Sequence, residues 1–230
     1  MRIIAGKYRR RRLLANPGET TRPITDFAKE TLFEHIHECV VGKRVADVFA
    51  GTGTIGLETL SRGAASVMFF ERDHKAFELL RKNVDSIGAS EDSFCWRVDV
   101  LRTSFRPKGV DRFLPFDVVF FDPPYAMMPE LQENSALHKS LVRLARESVT
   151  SCGARLIVRA PKRTEFDMPT IWTPEFALDI SGMTMHVYRK ADVEACAATV
   201  DEAVPKSPST VGRRSFGPEE IPNADTGDAS

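Results

Sequence analysis

The feature that most constrains this chain is a regular alternation of apolar runs with amphipathic segments between residues 44 and 159. Each apolar run has the length of a buried strand, and each amphipathic segment carries apolar residues at helical spacing. This alternation favours a parallel sheet with helices on both faces. The predicted strands are 44–49, 66–71, 93–98, 116–122 and 154–160, and the predicted helices are 54–63, 73–88 and 130–147.

The alternation stops after the fifth of these strands. Residues 175–190 contain two apolar, strand-like runs on either side of Ser181–Gly182. A short turn of this kind joins antiparallel strands, so we expect the sheet to finish with a β-hairpin. The prediction is an α/β fold with a mostly parallel, seven-stranded sheet.

A helix and a basic arm precede the sheet. Residues 25–40 have helical periodicity, and Thr25 or Asp26 is the expected N-cap of a capping box, with Lys29–Glu30 closing the first turn. The arm before this helix is predicted to form a short β-hairpin around residues 5–7. Together they make a short N-terminal extension.

Charge is distributed unevenly along the chain, although the formal net charge is zero. Residues 1–16 contain six basic residues and no acidic one, whereas residues 191–230 contain eight acidic and three basic residues. The basic end suggests a polyanionic partner. The acidic end has too little apolar surface to offset the cost of ordering, so we predict a disordered tail. The expected organisation is 1–40 (basic extension), 41–190 (main domain) and 191–230 (tail).

Several classes of protein are excluded by what the sequence lacks. There is no apolar run long enough to span a membrane and no secretory signal, so a cytoplasmic protein, expected to be a monomer, is predicted. The cysteines are far apart, which favours reduced thiols and no metal site. They are Cys39, Cys95, Cys152 and Cys196.

A glycine-rich turn lies between the first predicted strand and the helix after it. Gly51, Gly53 and Gly56 form a G-x-G-x-x-G pattern, and Glu71 ends the following strand. Glycines at such a turn let the backbone approach a ligand, and the acidic residue is placed to bond ribose hydroxyls. The pattern alone is compatible with an NAD-binding oxidoreductase.

Two further carboxylates favour a different ligand. Asp47 precedes the glycine turn, where its charge would repel a pyrophosphate and attract a cation. Asp99 ends the third strand, where it is placed to accept from an adenine amino group. A ligand with an adenosine, an amino acid and a positive sulfonium fits this set better than NAD does.

The fourth strand ends unusually, in the stretch FDVVFFDPPY (116–125). A chain that only has to leave a sheet needs one glycine or proline. A carboxylate at the end of a buried strand is costly unless something nearby uses it. Asp122 is therefore a candidate functional residue.

These motifs resemble those of a known class of enzymes. DVFAGTG, FFERD, VD and DPPY look like the successive motifs of class I S-adenosylmethionine-dependent methyltransferases that act on exocyclic amino groups, which have a Rossmann-like fold. The N-terminal MRIIAGKYRRRRL and RPITDFAKETLF are similar to those of the bacterial 16S rRNA guanine-N(2) methyltransferase family, the RsmD group. The resemblance covers about residues 1–190 and excludes the acidic tail.

The resemblance implies a chemical role for DPPY. A guanine amino nitrogen is a poor nucleophile, because its lone pair is delocalised into the ring. Asp122 and the backbone carbonyl of Pro123 would accept its two hydrogens and turn the lone pair towards the methyl group. The prolines, Pro123 and Pro124, fix the backbone, and Tyr125 offers a face on which an extruded base can stack.

The same resemblance implies two sets of binding residues. S-adenosylmethionine is expected to lie against Asp47, Phe49, Gly51, Gly53, Gly56, Glu71, Arg72, Asp99 and Val100. Ribosomal RNA, naked or within the small ribosomal subunit, is expected to contact Arg2, Lys7, Arg9, Arg10, Arg22 and Asp26.

Other functions remain open at this point. DNA adenine methyltransferases and protein glutamine methyltransferases also use an Asn/Asp-Pro-Pro-Tyr element. An NAD-dependent oxidoreductase would give Asp122 no role. A non-catalytic RNA-binding module would leave the cofactor motifs without a use.

Overall fold

The computed structural model describes residues 1–16 and 24–191 of the chain. The predictions for Arg22, for Cys196 and for the acidic segment beyond Ala191 lie outside the described residues.

The fold is a seven-stranded sheet with the order β3-β2-β1-β4-β5-β7-β6, which confirms the predicted architecture. The first five strands are parallel, and β7 runs antiparallel between β5 and β6. The predicted C-terminal hairpin is therefore present, and its strands form one edge of the sheet. The strands are β1 (Arg44–Val48), β2 (Ser66–Glu71), β3 (Ser93–Arg97), β4 (Phe116–Phe121), β5 (Thr150–Pro161), β6 (Trp172–Ile180) and β7 (Met183–Lys190).

Four α-helices accompany the sheet within the described residues, and none of them combines the length and apolar character needed to span a bilayer. The helix predicted over 130–147 is shorter, because Ser135 caps it by accepting from the amide of His138. The preceding residues, Tyr125–Glu130, form a 3-10 helix that contains Pro129. The helices are α1 (Asp26–Val40), α2 (Thr54–Ser61), α3 (His74–Ser86) and α4 (Ala136–Leu144).

Strand residues alternate between two apolar layers. Val45 and Val118 belong to the layer that packs on α1, α2 and α3, whereas Ala46 and Val119 belong to the layer that packs on α4. Both faces of the parallel strands are therefore buried, as the uninterrupted apolar runs predict. Because both faces are covered, the loops at the carboxyl ends of the strands are where a ligand site can form.

The first turn of α1 differs in detail from the predicted capping box. Thr25 is the N-cap and accepts from the amide of Ala28, so Ala28 occupies the position from which a Glu or Gln would reach back. Asp26 accepts instead from Nε of Arg2 at 2.8 Å. The prediction of Lys29–Glu30 as the closing pair is wrong, because Lys29 is buried and its ammonium group bonds the carbonyl oxygen of Arg2.

The N-terminal arm is a tight loop with a single β-bridge, between Arg2 and Arg12. The amide of Ile3 donates to the carbonyl of Arg11 at 3.0 Å, and the amide of Arg10 donates to the carbonyl of Ile3 at 3.0 Å. The predicted hairpin is thus reduced to one bridge.

The arm is fastened to α2. The amide of Lys7 donates to the carbonyl of Ser61 at 2.7 Å, and the amide of Tyr8 donates to the Ser61 hydroxyl at 2.9 Å. Gly6 lies so close that a Cβ there would overlap the Ser61 carbonyl oxygen. Sequence patterns indicate the arm's charge but not this attachment.

A buried carboxylate completes the attachment. Glu58 of α2 is fully buried and accepts from the amides of Ile4 at 2.8 Å and Ala5 at 3.1 Å. It also pairs with Arg62 at 2.8 Å and with Lys29 at 3.5 Å. Burial lowers the pKa of Lys29, and the charge of Glu58 opposes that shift. The extension and the main domain thus share one packed core.

Candidate active site

A cleft opens between the carboxyl ends of β1 and β4. The strand order reverses there, because β2 and β3 lie on one side of β1 and β4 and β5 on the other. Ligands of open α/β sheets bind at such switch points. The cleft has a volume of about 130 Å³. Its lining residues are Met1, Ile24, Asp47, Phe49, Ala50, Gly51, Thr52, Thr54, Ile55, Glu71, Asp122, Pro124 and Arg159.

The three glycines of the turn have different roles. Gly51 has a φ of 55° and open space where a Cβ would lie, so its backbone faces the cleft. A Cβ on Gly53 would overlap Leu80, and one on Gly56 would overlap Phe69. Gly53 thus lets the turn approach α3, and Gly56 lets α2 pack against β2. Neither is among the described residues that line the cleft.

Glu71 connects the turn to the next strand. One carboxylate oxygen accepts from the amide of Gly51 at 2.8 Å and the other from the amide of Asp73 at 2.6 Å. Burial raises the pKa of Glu71, against the effect of these hydrogen bonds. The carboxylate is held at the junction of the cleft with a second lobe.

The second lobe is a mainly apolar slot of about 100 Å³ that shares Phe49 and Glu71 with the first. Val100, Leu101 and Met127 supply much of its apolar surface. Asp99 lies at its edge and forms an ion pair with the largely exposed Arg72 at 3.7 Å. An aromatic ring system fits such a slot, with its polar edge towards Asp99. The other lining residues are Phe70, Asp73 and Val98.

Phe49 has a strained backbone where the two lobes meet. Its φ of 66° lies in the left-handed region, which costs a residue with a side chain about 1–3 kcal/mol. Its ring packs edge-on against Phe121, with centroids 5.2 Å apart. Such strain clusters at ligand sites, and here it directs the chain from β1 into the glycine turn.

Asp47 lies beneath the turn. Its Oδ2 accepts from the amide of Gly56 at 2.8 Å. Burial raises its pKa to about 8, and the neighbouring charges of Asp122 and Glu71 act in the same direction. A pKa near 8 favours the protonated form at neutral pH. A cation in the cleft would favour the ionised form.

Asp122 follows β4 directly and faces the same cleft. Its backbone amide donates to the carbonyl of Val48 at 3.2 Å, which ties it to the end of β1. Nε of Arg159, in β5, donates to its Oδ1 at 2.7 Å. Burial raises the pKa of Asp122 although Arg159 opposes the shift. Burial lowers the pKa of Arg159, but Asp122 outweighs it and the net shift is upwards.

The rest of DPPY surrounds this carboxylate. Pro123 is buried, and Pro124 lines the cleft. Tyr125 starts the 3-10 helix, and the guanidinium carbon of Arg159 lies 5.3 Å from its ring centroid, a cation–π contact. The π face expected to receive a base is therefore adjacent to a fixed positive charge.

Sequence reasoning missed Arg159, although a signal for it exists. An arginine within the run ARLIVRA is unusual in a buried strand, because a charge there needs a partner. It also missed that Met1 and Ile24, from the N-terminal extension, reach the cleft. The hydroxyl of Thr54 donates to the sulfur of Met1 at 3.3 Å.

The residues predicted to meet RNA lie on or near the arm. Arg2 and Asp26 pair with each other, so each neutralises part of the other's charge. Arg9 and Arg10 are exposed, and Lys7 is also on the surface. No group of three or more His, Cys, Asp or Glu within residues 1–16 and 24–191 could hold a metal ion.

The fold and cleft define the class of protein. A Rossmann-like sheet with its C-terminal hairpin, a glycine turn after β1 and an acidic residue at the end of β2 is the architecture of class I methyltransferases. A family model described as "Conserved hypothetical protein 95" matches residues 1–173, and the chain belongs to this family.

Curated relatives carry consistent names. The "Putative rRNA methyltransferase YlbH" of Bacillus subtilis is 37% identical over 125 residues, which are 54% of this chain and 67% of that protein. The "Ribosomal RNA small subunit methyltransferase D" of Escherichia coli (strain K12) is 34% identical over 125 residues, 54% of this chain and 60% of that protein.

Solved structures agree with the fold. The "Putative methyltransferase yhhF" of Escherichia coli has a TM-score of 0.66 and 27% identity, and the match covers 83% of this chain and 98% of that one. An RNA methyltransferase from Salinibacter ruber, solved with S-adenosyl-L-homocysteine, has a TM-score of 0.54 and 16% identity, covering 82% and 100%. The second likeness concerns the fold alone.

Proposed function

We propose that this protein transfers a methyl group from S-adenosylmethionine to the exocyclic N2 of a guanine in 16S ribosomal RNA. The observation that carries the proposal is the meeting of Asp122 with the glycine turn and Glu71 in one cleft. An amino-group acceptor and a nucleoside-binding carboxylate then face the same space. Because ribosomes are cytoplasmic in bacteria, we expect the protein to act there.

The residues of the cleft fit the cofactor. Asp99 and the apolar slot with Val100 suit an adenine, and Glu71 at the junction suits ribose hydroxyls. Arg159 pairs with Asp122 in the first lobe, whereas Glu71, and Asp47 once a cation favours its ionised form, would suit a sulfonium and an ammonium group better than the pyrophosphate of NAD. The cofactor supplies a methyl group on a positive sulfur, so the transfer itself needs no metal.

DPPY fits the chemistry at the amino group. The Asp122 carboxylate is positioned to accept one amino hydrogen and, after transfer, to take the proton that the nitrogen loses. The Pro123 carbonyl is the second acceptor in this proposal. Holding both hydrogens orients the nitrogen towards the methyl group, and such positioning accounts for much of a catalysed rate.

RNA as the substrate is supported by the surface and by the relatives. The exposed arginines of the arm, Arg9 to Arg12, suit phosphates, which attract such residues without reading sequence. Relatives carry names that include rRNA and small-subunit methyltransferase. Residues 1–40 would then face the RNA, and residues 41–190 would carry out the transfer.

The product tests this proposal directly. Purified protein is incubated with methyl-labelled S-adenosylmethionine and either a 16S rRNA transcript or small subunits that lack the modification, with 23S rRNA as the control. Digestion to nucleosides and mass spectrometry should show N2-methylguanosine from one of the small-subunit substrates. Label in N6-methyladenosine or in an amide of a subunit protein would contradict the guanine assignment.

A further inference from the structure

The loop that follows β3 is bonded to two side chains of α4. The hydroxyl of Ser140 donates to the carbonyl oxygen of Val100 at 2.7 Å. Nη2 of Arg143 donates to the carbonyl oxygens of Leu101 at 2.7 Å and of Val100 at 3.3 Å. Nε of the same guanidinium donates to the carbonyl oxygen of Thr103 at 2.9 Å. Two side chains of one helix thus satisfy three carbonyl groups of one loop.

Arg143 makes these bonds without a carboxylate partner among the described residues. Its side chain is half-buried, and burial lowers the pKa of Arg143, with a further lowering by the charge of Arg146. Ser140 is fully buried. A polar group that is removed from water needs a hydrogen-bond partner, and here the loop carbonyls are the partners.

One peptide group connects these contacts to Asp99. The carbonyl oxygen of Val100, which α4 holds, belongs to the same planar peptide unit as the amide of Leu101. That amide donates to Oδ1 of Asp99 at 3.0 Å. Because the unit is rigid, fixing its carbonyl oxygen also fixes the direction of the amide that orients the carboxylate.

The second lobe of the cleft lies on the other side of this loop. Asp99, Val100 and Leu101 line the apolar slot. Ser140 and Arg143 are not among the described residues that line it. Any effect of these two residues on an adenine in the slot therefore passes through the loop.

Resting on the proposed function, we propose that Ser140 and Arg143 are positioning residues for the cofactor, which hold Asp99 in the orientation that accepts from the amino group of adenine. Oδ1 of Asp99 already accepts from the amide of Leu101, and Oδ2 lies 3.7 Å from Nη1 of the largely exposed Arg72. Oδ2 is then the acceptor for the amino group. Without the contacts from α4 the peptide unit can turn, and the carboxylate loses its fixed direction.

A general role in stability is the competing explanation, since bonds between α4 and the loop also hold the fold together. That role predicts a similar loss of affinity for any nucleoside in the slot. An orienting role predicts a loss concentrated on ligands that carry the amino group of adenine. A pair of ligands that differ only in this group therefore separates the two explanations.

The experiment measures the affinities of S-adenosylhomocysteine and of its 6-deamino analogue, in which hydrogen replaces the amino group of adenine. Calorimetry without RNA, with melting temperatures, is carried out on wild-type protein, Ser140→Ala and Arg143→Met. Arg143→Lys tests for partial rescue. Arg44→Met is the matched control, because Arg44 donates to the carbonyl oxygen of Leu114 at 2.7 Å and pairs with Asp117 at the amino end of β1.

Wild-type protein should bind S-adenosylhomocysteine about tenfold or more tightly than the analogue, because the analogue lacks the donor for a charged acceptor. Arg143→Met should lose most of this preference by binding S-adenosylhomocysteine less tightly, and Ser140→Ala should lose part of it. Arg143→Lys, which can still donate to one carbonyl, should recover part. The control, Arg44→Met, should keep the wild-type preference even where its melting temperature falls.

Turnover gives a second measurement that a general loss of stability does not predict. With the 16S substrate, KM for S-adenosylmethionine should rise in Arg143→Met by a larger factor than kcat falls. The reason is that the affected carboxylate meets the adenine and not the amino group of the target base.

Four results would overturn the inference. They are an unchanged preference in Arg143→Met and Ser140→Ala, an equal loss of affinity for both ligands, a lost preference in Arg44→Met, and a wild-type protein that binds both ligands equally. If Arg143→Met does not fold, Ser140→Ala and Arg143→Lys decide in its place. Wild-type protein that shows the preference but methylates no guanine would contradict the proposed function and not this inference.

Discussion

The carboxyl group of Asp47 accepts a hydrogen bond from the backbone amide of Gly56 at 2.8 Å, beneath the glycine turn. This bond joins the end of β1 to α2. The site is so buried that the pKa of Asp47 is raised to about 8, despite the hydrogen bond. The protonated form of Asp47 is therefore favoured at neutral pH, and a cationic ligand beside it would favour the ionised form.

Asp47→Asn should stabilise the cofactor-free protein, and more so as the pH rises. Since the folded pKa is raised from the ordinary value of 3.8, the contribution of Asp47 to stability falls between about pH 4 and pH 8. Asparagine keeps the acceptor oxygen and does not ionise. Melting temperatures of both proteins from pH 4 to pH 8.5 should diverge steadily.

Asp117→Asn is the matched control, because Asp117 has the opposite shift. Its pairing with Arg44 lowers its pKa, although burial acts in the other direction. Its stabilising effect is present above the unfolded pKa and is lost as the pH falls through the folded pKa. Asp117→Asn should therefore lower the melting temperature at pH 8. If the melting temperatures of Asp47→Asn and wild type changed in parallel with pH, the raised pKa assigned to Asp47 would be contradicted.

Sequence periodicity predicts the sheet and its hairpin because burial on both faces leaves uninterrupted apolar runs. It also places Asp122 and Glu71 at strand ends, which parallel strands bring to one edge. It does not predict side-chain contacts between residues that are distant in the chain. Arg159 meets Asp122 only because β4 and β5 are neighbours, and Glu58 accepts from the arm only because α2 lies beneath it.

Glu71→Gln should weaken binding of S-adenosylmethionine by about tenfold or more. The side chain accepts from two backbone amides, and an amide group would turn a donor towards one of them. Leaving a buried donor unsatisfied costs about 1–3 kcal/mol. Calorimetry with S-adenosylmethionine and with NAD measures this. Glu78→Gln, at a partly buried position on α3 outside the cleft, should bind like wild type.

Unchanged S-adenosylmethionine affinity in Glu71→Gln would show that this carboxylate does not bind the nucleoside of the cofactor. Tight binding of NAD without binding of S-adenosylmethionine would support an NAD-dependent oxidoreductase instead.

Replacing Arg9, Arg10, Arg11 and Arg12 with alanine should weaken RNA binding and flatten its dependence on salt. These side chains are exposed, and each phosphate contact contributes about 0.7–0.9 to the slope of log affinity against log salt concentration. Cofactor affinity should not change, because none of the four lines either lobe of the cleft within the described residues. Filter binding to 16S rRNA across a salt series measures the slope.

A double variant, Lys139→Ala with Arg146→Ala, is the control for loss of charge. Both residues are exposed, and they lie on or just after α4, on the opposite side of the sheet from the arm. An equal fall in slope for this variant would show that the arm acts through net charge alone. An unchanged slope in the arginine variant would show that the arm does not contact phosphates and has a structural role only.

The most direct test of the account is the single-turnover rate of methyl transfer to the 16S substrate for Asp122→Ala and Asp122→Asn, with cofactor affinity measured on the same proteins. Roles of this kind are typically worth about 10²–10⁴-fold in rate. Asp122→Ala should fall by such a factor with little change in cofactor affinity. Asp122→Asn, which keeps an acceptor oxygen for the amino hydrogen and for Arg159, should retain more activity. Transfer by Asp122→Ala at the wild-type rate would contradict the assignment of the amino-group acceptor to this carboxylate.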